Sequence, residues 1–167
     1  MLQRLMAAKW RVVRTKGARA ALPEALVARY QKVPSDYARF LSSIEACMHP
    51  REDSWFLGLR DFDGRSDSAF SWDDFERQSL EAAEGDEDWQ EEIRHHWDEV
   101  LPVALSVRSG YSYLGLRLGL IDFGAVVLGR EPDFEAAVVI APSFPDLCQA
   151  VIEHLDGRVQ EELIEFL

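Results

Sequence analysis

The residues of this chain whose types could do chemistry are concentrated in one short stretch, DEDWQEEIRHHWDEV, residues 86–100. Carboxylates beside imidazoles are common metal ligands, and Glu92-x-x-His95 is half of a carboxylate di-iron motif. A closed metal site needs about four ligands and a catalytic one about three, but this spacing supplies only two at a time. The remaining histidines, His49 and His154, lie in unrelated contexts. We therefore predict no metal site here, since the pattern is more typical of the hydrated side of a helix.

A helix of 3.6 residues per turn would separate these side chains onto opposite sides. Trp89, Ile93 and Trp97 share one side and are predicted to face the core, with His96 at its flank. The opposite side is predicted to face water and carries Asp88, Glu91, His95, Asp98 and Glu99.

No second group of residues in the sequence points to catalysis. Cys47 and His49 could supply a thiol and a base, but on a helix two residues apart they point in different directions, and no third group accompanies them. Cys148 lies within an apolar helical stripe, which is typical of core packing. The sequence lacks the G-x-S-x-G, P-loop and dinucleotide-binding signatures. We predict that the protein is not an enzyme and binds no cofactor.

The density of acidic residues is the most unusual feature of the chain. Residues 73–99 contain twelve Asp or Glu residues and two arginines, Arg77 and Arg94, a net charge of −10. Because like charge at this density repels itself and adds nothing to the fold, it is either a hydrated surface or a docking surface for a basic partner. The predicted docking surface consists of Asp73, Asp74, Glu76, Asp86, Asp88, Glu91, His95, Asp98 and Glu99.

Charge is divided unequally along the chain. Residues 1–32 hold eight Lys or Arg residues against the single acid Glu24, a net of +7, which leaves 10 basic and 29 acidic residues, a net of −19, for residues 33–167. A body this acidic repels a polyphosphate, so we predict no nucleic-acid partner. The basic arm, residues 1–21, could contact phosphates or a membrane surface, but we expect it to fold back onto the acidic body.

Length and composition favour a single globular domain, which we predict for residues 22–167. The chain has 167 residues, of which 47% are hydrophobic, and this suits one core of ordinary size. It contains no apolar run of about 18 residues or more, and no secretory signal follows the basic start, so no membrane partner is predicted. Two cysteines cannot build a disulfide framework, which favours a cytoplasmic protein.

The clearest secondary-structure signal is a series of strands in the second half of the chain. Val103, Leu105 and Val107 alternate with smaller or polar residues, and the tight-turn pair Ser109-Gly110 follows them. Short connections between strands predict antiparallel neighbours in meander order. The predicted strands are residues 55–59, 103–108, 112–119, 125–129 and 136–140.

Helices are predicted before and after these strands. Pro34-Ser35-Asp36 begins a helix that continues to about Cys47, and Ser143 is a suitable N-cap for a helix with a continuous apolar stripe. This order predicts an α+β fold, a mostly antiparallel meander sheet flanked by N-terminal and C-terminal helices. Further helices are predicted from Pro23 and at about 72–84, 87–98 and 158–166, with a loop at 60–72, and the predicted core includes Leu114, Leu116, Leu118, Phe144, Leu147 and Val151.

Several of these segments resemble motifs of the SUKH superfamily, the group of Smi/Knr-like proteins. VPSDYARFL, residues 33–41, is similar to the family's LP-x-x-Y-x-x-F-L segment, and WDEVLPV, residues 97–103, to its entry into the sheet. IAPSF, residues 140–144, resembles the start of its last helix. The resemblance covers roughly residues 22–156 in the family's order. The chain departs from the family after the second helix, where EACMHP, residues 45–50, stands in place of N-G-G.

The resemblance implies both a fold and a role. It implies an α+β fold, and many bacterial members of the superfamily look like immunity proteins that bind and neutralise toxins. The family has no shared catalytic residues to carry over to this sequence. We therefore expect a bacterial immunity protein whose partner is a basic toxin domain, such as a nuclease, because a nuclease must hold a polyanion in a cationic cleft. Two alternatives stay open: a regulatory scaffold of the Smi/Knr-like kind, and a metal-dependent hydrolase built on the acid and histidine cluster.

Overall fold

The computed structural model describes residues 1–16 and 21–167. The strands within these ranges are β1 (Arg11–Arg14), β2 (Ile44–Met48), β3 (Ser54–Phe56), β4 (Val100–Ser106), β5 (Ser112–Arg117), β6 (Val126–Arg130) and β7 (Asp133–Ala141). The helices are α1 (Leu2–Ala7), α2 (Glu24–Arg29), α3 (Ser35–Leu41), α4 (Leu59–Phe62), α5 (Asp74–Ala82), α6 (Glu87–Glu99) and α7 (Phe144–Leu155), followed by a 3-10 helix (Glu161–Leu163).

The strands form one sheet in the order β1-β2-β3-β4-β5-β6-β7, with each strand antiparallel to its neighbours. The predicted α+β fold with a meander sheet is therefore confirmed. Alternation of apolar residues in β4 and β5 places side chains on both faces of the sheet. Trp55, Leu105 and Tyr113 are register partners and share one face, whereas Phe56, Ala104 and Leu114 share the other.

Helices cover both faces of the sheet. On the Phe56 face, α7 and α3 meet through Phe144, whose ring centroid lies 5.0 Å from that of Phe40, and Phe40 in turn packs on Phe56. On the Tyr113 face, the Trp97 ring of α6 lies 4.8 Å from the Tyr113 ring. The α7 helix begins as predicted, because the Ser143 hydroxyl accepts from the Asp146 N–H at 3.3 Å.

Five of the six predicted core residues are buried. Leu114, Leu116, Phe144, Leu147 and Val151 each have at most 3% of their surface exposed. The sixth, Leu118, is only half-buried, because β5 ends at Arg117 and the chain leaves the sheet one residue earlier than Leu118.

The predicted helix from Pro34 to about Cys47 is wrong in its second half, since α3 ends at Leu41 and residues 44–48 form β2. The cause is local capping: the Ser42 hydroxyl donates to the Arg39 carbonyl and the Ser43 hydroxyl to the Phe40 carbonyl, which occupies the last carbonyls of the helix. Cys47 consequently lies in the sheet, where burial raises the pKa of its thiol to about 12.

Residues 2–14, which belong to the predicted basic arm, pack with the rest of the described chain. β1 pairs with β2 and forms an edge of the sheet, while Leu5 and Trp10 are buried in the common core. The pairing of β1 was not predicted from the sequence, because its partner strand, β2, was predicted to be part of a helix. Residues 17–20 of the predicted arm lie outside the described residues.

Two smaller segments also differ from the prediction. Residues 60–72, predicted as a loop, begin within α4, and buried Asp61 accepts hydrogen bonds from the Gly58 N–H at 2.7 Å and the Ser66 hydroxyl at 2.6 Å. The predicted helix at 158–166 is reduced to one 3-10 turn, which Phe166 anchors in the core. Of the helices in the described ranges, none has both the length and the apolar character to cross a membrane.

Candidate functional site

The acidic segment forms the two predicted helices, α5 and α6, separated at Gly85. Gly85 has a φ of +91°, a left-handed conformation that favours glycine and lets the chain turn between the helices. The Asp86 side chain then caps α6 by accepting from the Trp89 N–H at 3.0 Å. Acids in the first turn of α6 are also favoured by the helix dipole. Part of the acid in this segment therefore has a local structural role.

All nine residues of the predicted docking surface lie on α5, on α6 or at their N-caps, but the structure divides them. Glu76 and Asp98 are brought together by one arginine, and Asp74 forms an ion pair with Arg77 of its own helix. Three of the predicted carboxylates therefore form ion pairs within the chain. The other six are Asp73, Asp86, Asp88, Glu91, His95 and Glu99, of which all except half-buried Asp73 are exposed.

The arginine that pairs with both Glu76 and Asp98 is Arg29, from the basic N-terminal part of the chain. Its guanidinium contacts both Glu76 oxygens at 2.5 and 2.8 Å and one Asp98 oxygen at 2.9 Å. Burial lowers the pKa of Arg29, but the hydrogen bonds to Glu76 and Asp98 and the nearby charge of Glu76 and Tyr30 together outweigh it, and the pKa is raised. Next to it, the Tyr30 hydroxyl donates to the Trp97 carbonyl at 3.1 Å, which fixes α2 against α6. This contact joins α2 to the acidic helices, and it lies outside the predicted basic arm, residues 1–21.

The outer side of α6 keeps its charge. Asp88, Glu91 and Glu99 form no ion pair with any residue in the described ranges 1–16 and 21–167. They are also exposed, so a partner approaching α6 would meet uncompensated negative charge.

Trp89 is exposed, contrary to the prediction that it faces the core. Its neighbours at helical spacing, Ile93 and Trp97, are buried as predicted, but 44% of Trp89 is open to solvent. Viewed along the α6 axis at 100° per residue, Trp97 and Trp89 lie on opposite sides of Ile93. Gln90, which contacts α5, lies on the Trp97 side, so Trp89 points away from α5. A large aromatic side chain is therefore exposed to solvent within the acidic segment. The apolar periodicity of α6 gave no indication of this exposure.

A cleft of about 690 Å³ lies beside α6, between this helix, the connection from β5 to β6 and strand β7. Its walls carry charge and its floor is largely apolar. The tip of the β5–β6 connection forms an apolar lip, since Leu120 is fully exposed and 75% of Ile121 is exposed. The lining residues are Glu92, His95, His96, Glu99, Val100, Arg117, Gly119, Leu120, Ile121, Val127, Glu135 and Ala137.

Glu99 extends across one end of this cleft. Its carboxylate lies directly on the Gly119 backbone, where an added Cβ would come within 2.7 Å of the carboxylate. The backbone of the same residue also joins the two walls, because the Leu118 N–H donates to the Glu99 carbonyl at 2.7 Å. Glu99 was predicted to lie on the acidic surface, but no sequence pattern indicated the β5–β6 wall opposite it.

His96 connects the cleft to the core. The Tyr113 hydroxyl donates to the Phe134 carbonyl at 3.0 Å, so its oxygen accepts from the His96 ring, 2.8 Å away, through Nε2–H. Burial, followed by the nearby positive charge of Arg117, lowers the pKa of His96 to about 4. The imidazole is therefore neutral near pH 7 and serves as a hydrogen-bond donor to Tyr113.

Protonation of His96 is expected to destabilise the protein in acid. Because its pKa is lower in the folded chain than in the unfolded one, its contribution is fully present above about pH 6.5 and is lost as the pH falls towards 4. Unfolding by urea at pH 7.5 and pH 4.5 should show that wild-type protein loses about 1–3 kcal/mol more than His96→Gln, which keeps an N–H donor without a titrating ring. Equal losses in both proteins would contradict this role for His96.

The hydrolase alternative finds no geometric support among the residues described. Within ranges 1–16 and 21–167, no three His, Cys, Asp or Glu side chains are placed together to hold a metal ion. Both cysteines are free thiols, and burial raises the pKa of Cys148 to about 11, as it raises that of Cys47. Protonated, buried thiols are poor nucleophiles.

Comparison with protein-family models, with curated proteins and with solved structures found no match to this chain. The similarity to the SUKH superfamily consequently stays a prediction based on the motifs quoted above. The exposed charge and apolar groups around α6 are the features from which a function can be argued.

Proposed function

We propose that this protein is a non-enzymatic binding protein of the SUKH type, an immunity protein that captures and neutralises a basic toxin. The observation that carries the proposal is Trp89, a tryptophan 44% exposed in the first turn of α6, where Asp88, Glu91 and Glu99 form no ion pair with any described residue. Exposed tryptophan is a frequent centre of binding energy in protein interfaces. Surrounding carboxylates favour a partner that is positively charged.

The acids of α6 and the exposed Trp89 contribute to different steps of binding. Long-range attraction from Asp88, Glu91 and Glu99 raises the rate of encounter with a basic protein and orients it. A large aromatic side chain that becomes buried on contact slows dissociation, because it removes apolar surface from water. A surface with both features can capture a toxin quickly and retain it.

The expected toxin is one that acts on a polyanion, such as a nuclease. Its active cleft must be cationic in order to hold phosphates, and the acidic helices present that cleft with a competing polyanion. We place this action in the cytoplasm, where free thiols such as Cys47 and Cys148 stay reduced.

Replacement of Trp89 by alanine is expected to abolish stable capture of the partner. Immobilised wild-type protein should retain a basic protein from a lysate of the source organism, and Trp89→Ala should bind the same protein about 30- to 1,000-fold more weakly. The matched control is Val159→Ala, another exposed apolar truncation, at a residue that is 66% exposed and lies far along the chain from α6. Affinity is measured by titration of the purified partner.

Two results of this experiment would contradict the proposed function. Retention of an acidic protein as the specific partner would contradict it, because the acidic helices would then repel their ligand. Equal affinity of wild type and Trp89→Ala would show that binding does not involve α6.

A further inference from the structure

The cleft beside α6 has a composition that differs from the outer acidic surface. Glu92 and Glu99 on α6 and Glu135 on β7 face a space that also holds one guanidinium, that of Arg117. Neither Glu92 nor Glu99 forms an ion pair with any residue that the structure describes, and Arg117 lies 3.8 Å from Asp122 on its own connection. Three carboxylates against one arginine give the cleft a net negative charge.

The carboxylates are held in place by their surroundings. One Glu135 oxygen accepts from the Trp97 indole N–H at 2.9 Å, which orients the carboxylate and leaves its second oxygen without a bond to any described residue. Glu99 fits against Gly119, where no side chain competes for its position. Acceptors that are oriented before binding lose less side-chain freedom when a ligand arrives.

The floor and lip of the cleft are apolar. Val100 and Val127 are buried below it, and Leu120 and Ile121 stand exposed at its entrance on adjacent positions of the β5–β6 connection. Exposed aliphatic side chains beside a pocket favour a ligand that brings its own apolar surface. The volume, about 690 Å³, is within the roughly 300–1,000 Å³ of ordinary ligand pockets and exceeds the space of a single side chain.

We propose that this cleft receives an arginine side chain of the partner, together with the apolar residues that flank it. The proposal rests on the proposed function, and it names the anchor that the partner would insert beside the Trp89 contact. Arginine fits the chemistry because its planar guanidinium forms paired hydrogen bonds with carboxylates, is weakly hydrated, and sits on an apolar stem. A second copy of this chain is a poor occupant, since each copy carries a net charge of −12.

The test uses a synthetic peptide and ¹⁵N-labelled full-length protein. The probe is acetyl-Gly-Leu-Arg-Leu-Gly-amide, and its control contains citrulline, a neutral analogue of arginine with the same shape. In NMR titrations the arginine peptide is expected to shift the backbone amides of His96, Gly119 and Ile121. The citrulline peptide is expected to bind about tenfold more weakly, because it loses the charge-assisted hydrogen bonds.

Three variants locate the binding site within the protein. Glu99→Gln removes the charge and Gly119→Ala displaces the Glu99 carboxylate without changing any charge, so each should weaken the arginine peptide about tenfold. The matched control is Glu162→Gln, an exposed acid outside α5 and α6, which should change the affinity less than twofold. Urea unfolding and the amide spectra of the free variants check that each retains the fold.

Several results would overturn the assignment of an arginine to this cleft. These are equal binding of the citrulline peptide, equal binding of the same peptide with lysine, shifts confined to other surfaces, or an equal loss with Glu162→Gln. Line broadening of the free protein that disappears on dilution would identify a second copy as the occupant instead. If the peptide does not bind while capture of a basic protein still depends on Trp89, only the assignment of arginine to the cleft is contradicted. If the peptide binds while no basic protein is captured, only the proposed function is contradicted.

Discussion

Reversing the charge of three acids on the outer side of α6 is expected to slow capture of the basic partner by about 10- to 1,000-fold at low salt. The variant carries Asp88→Lys, Glu91→Lys and Glu99→Lys, three exposed positions that form no ion pair with a described residue. Asp98 is left unchanged because Arg29 holds it, and its replacement would disturb the contact between α2 and α6. Stopped-flow mixing with the purified partner measures the association rate.

A matched control variant distinguishes the effect of where the charges lie from the effect of the change in net charge. Asp67→Lys, Glu161→Lys and Glu162→Lys together change the net charge by the same amount, and all three residues are exposed and lie outside α5 and α6. This control should associate at nearly the wild-type rate, and wild-type association should slow as salt rises. If both triple variants associate with the partner equally slowly, or if the wild-type association rate does not depend on salt, α6 is only a hydrated surface.

Replacement of Phe144 by alanine is expected to lower the free energy of unfolding by about 3–5 kcal/mol. Phe144 is the first residue of α7 and is 3% exposed, with its ring 5.2 Å from Tyr37 and 5.0 Å from Phe40. Truncation would leave a cavity where α7, α3 and the sheet meet, and these aromatic neighbours could not fill it without moving. Urea denaturation followed by tryptophan fluorescence measures the loss.

Phe123→Ala is the control for this prediction. Phe123 is 38% exposed and contacts Lys32, whose ammonium lies 4.8 Å from the ring, so its truncation removes less buried surface than that of Phe144. We expect a loss below about 1 kcal/mol, as for most surface substitutions. A loss for Phe144→Ala as small as that for Phe123→Ala would show that α7 does not pack as described.

The parts of the fold that could be predicted are those specified by nearby residues. The hairpin of β4 and β5 follows from alternation and a short turn, and α7 follows from its Ser143 cap and apolar stripe. β2 could not be predicted in this way. Ile44 and Cys47 continue the helical spacing of Phe40, and only pairing with β1 and β3, which are distant in sequence, makes these residues a strand.

The candidate site shows the same limit. The acidic character of α5 and α6 is visible in the sequence, but Arg29 is 47 residues from Glu76 and 69 from Asp98, so their contact depends on the completed fold. The cleft likewise joins α6 to the β5–β6 connection and to β7, so it depends on the packing of α6 against the sheet. Trp89 was misplaced because one apolar periodicity fits both a buried residue and one at the edge of the packed surface.

The proposal that this protein neutralises a toxin is tested most directly by the growth of bacterial cells that express the captured partner. Expression of the partner alone is expected to arrest growth, and co-expression of wild-type protein to restore it. Co-expression of the Trp89→Ala variant at the same level should fail to restore growth, because it lacks the aromatic anchor. Normal growth with the partner alone would contradict the immunity function and would favour a regulatory scaffold that binds a harmless protein.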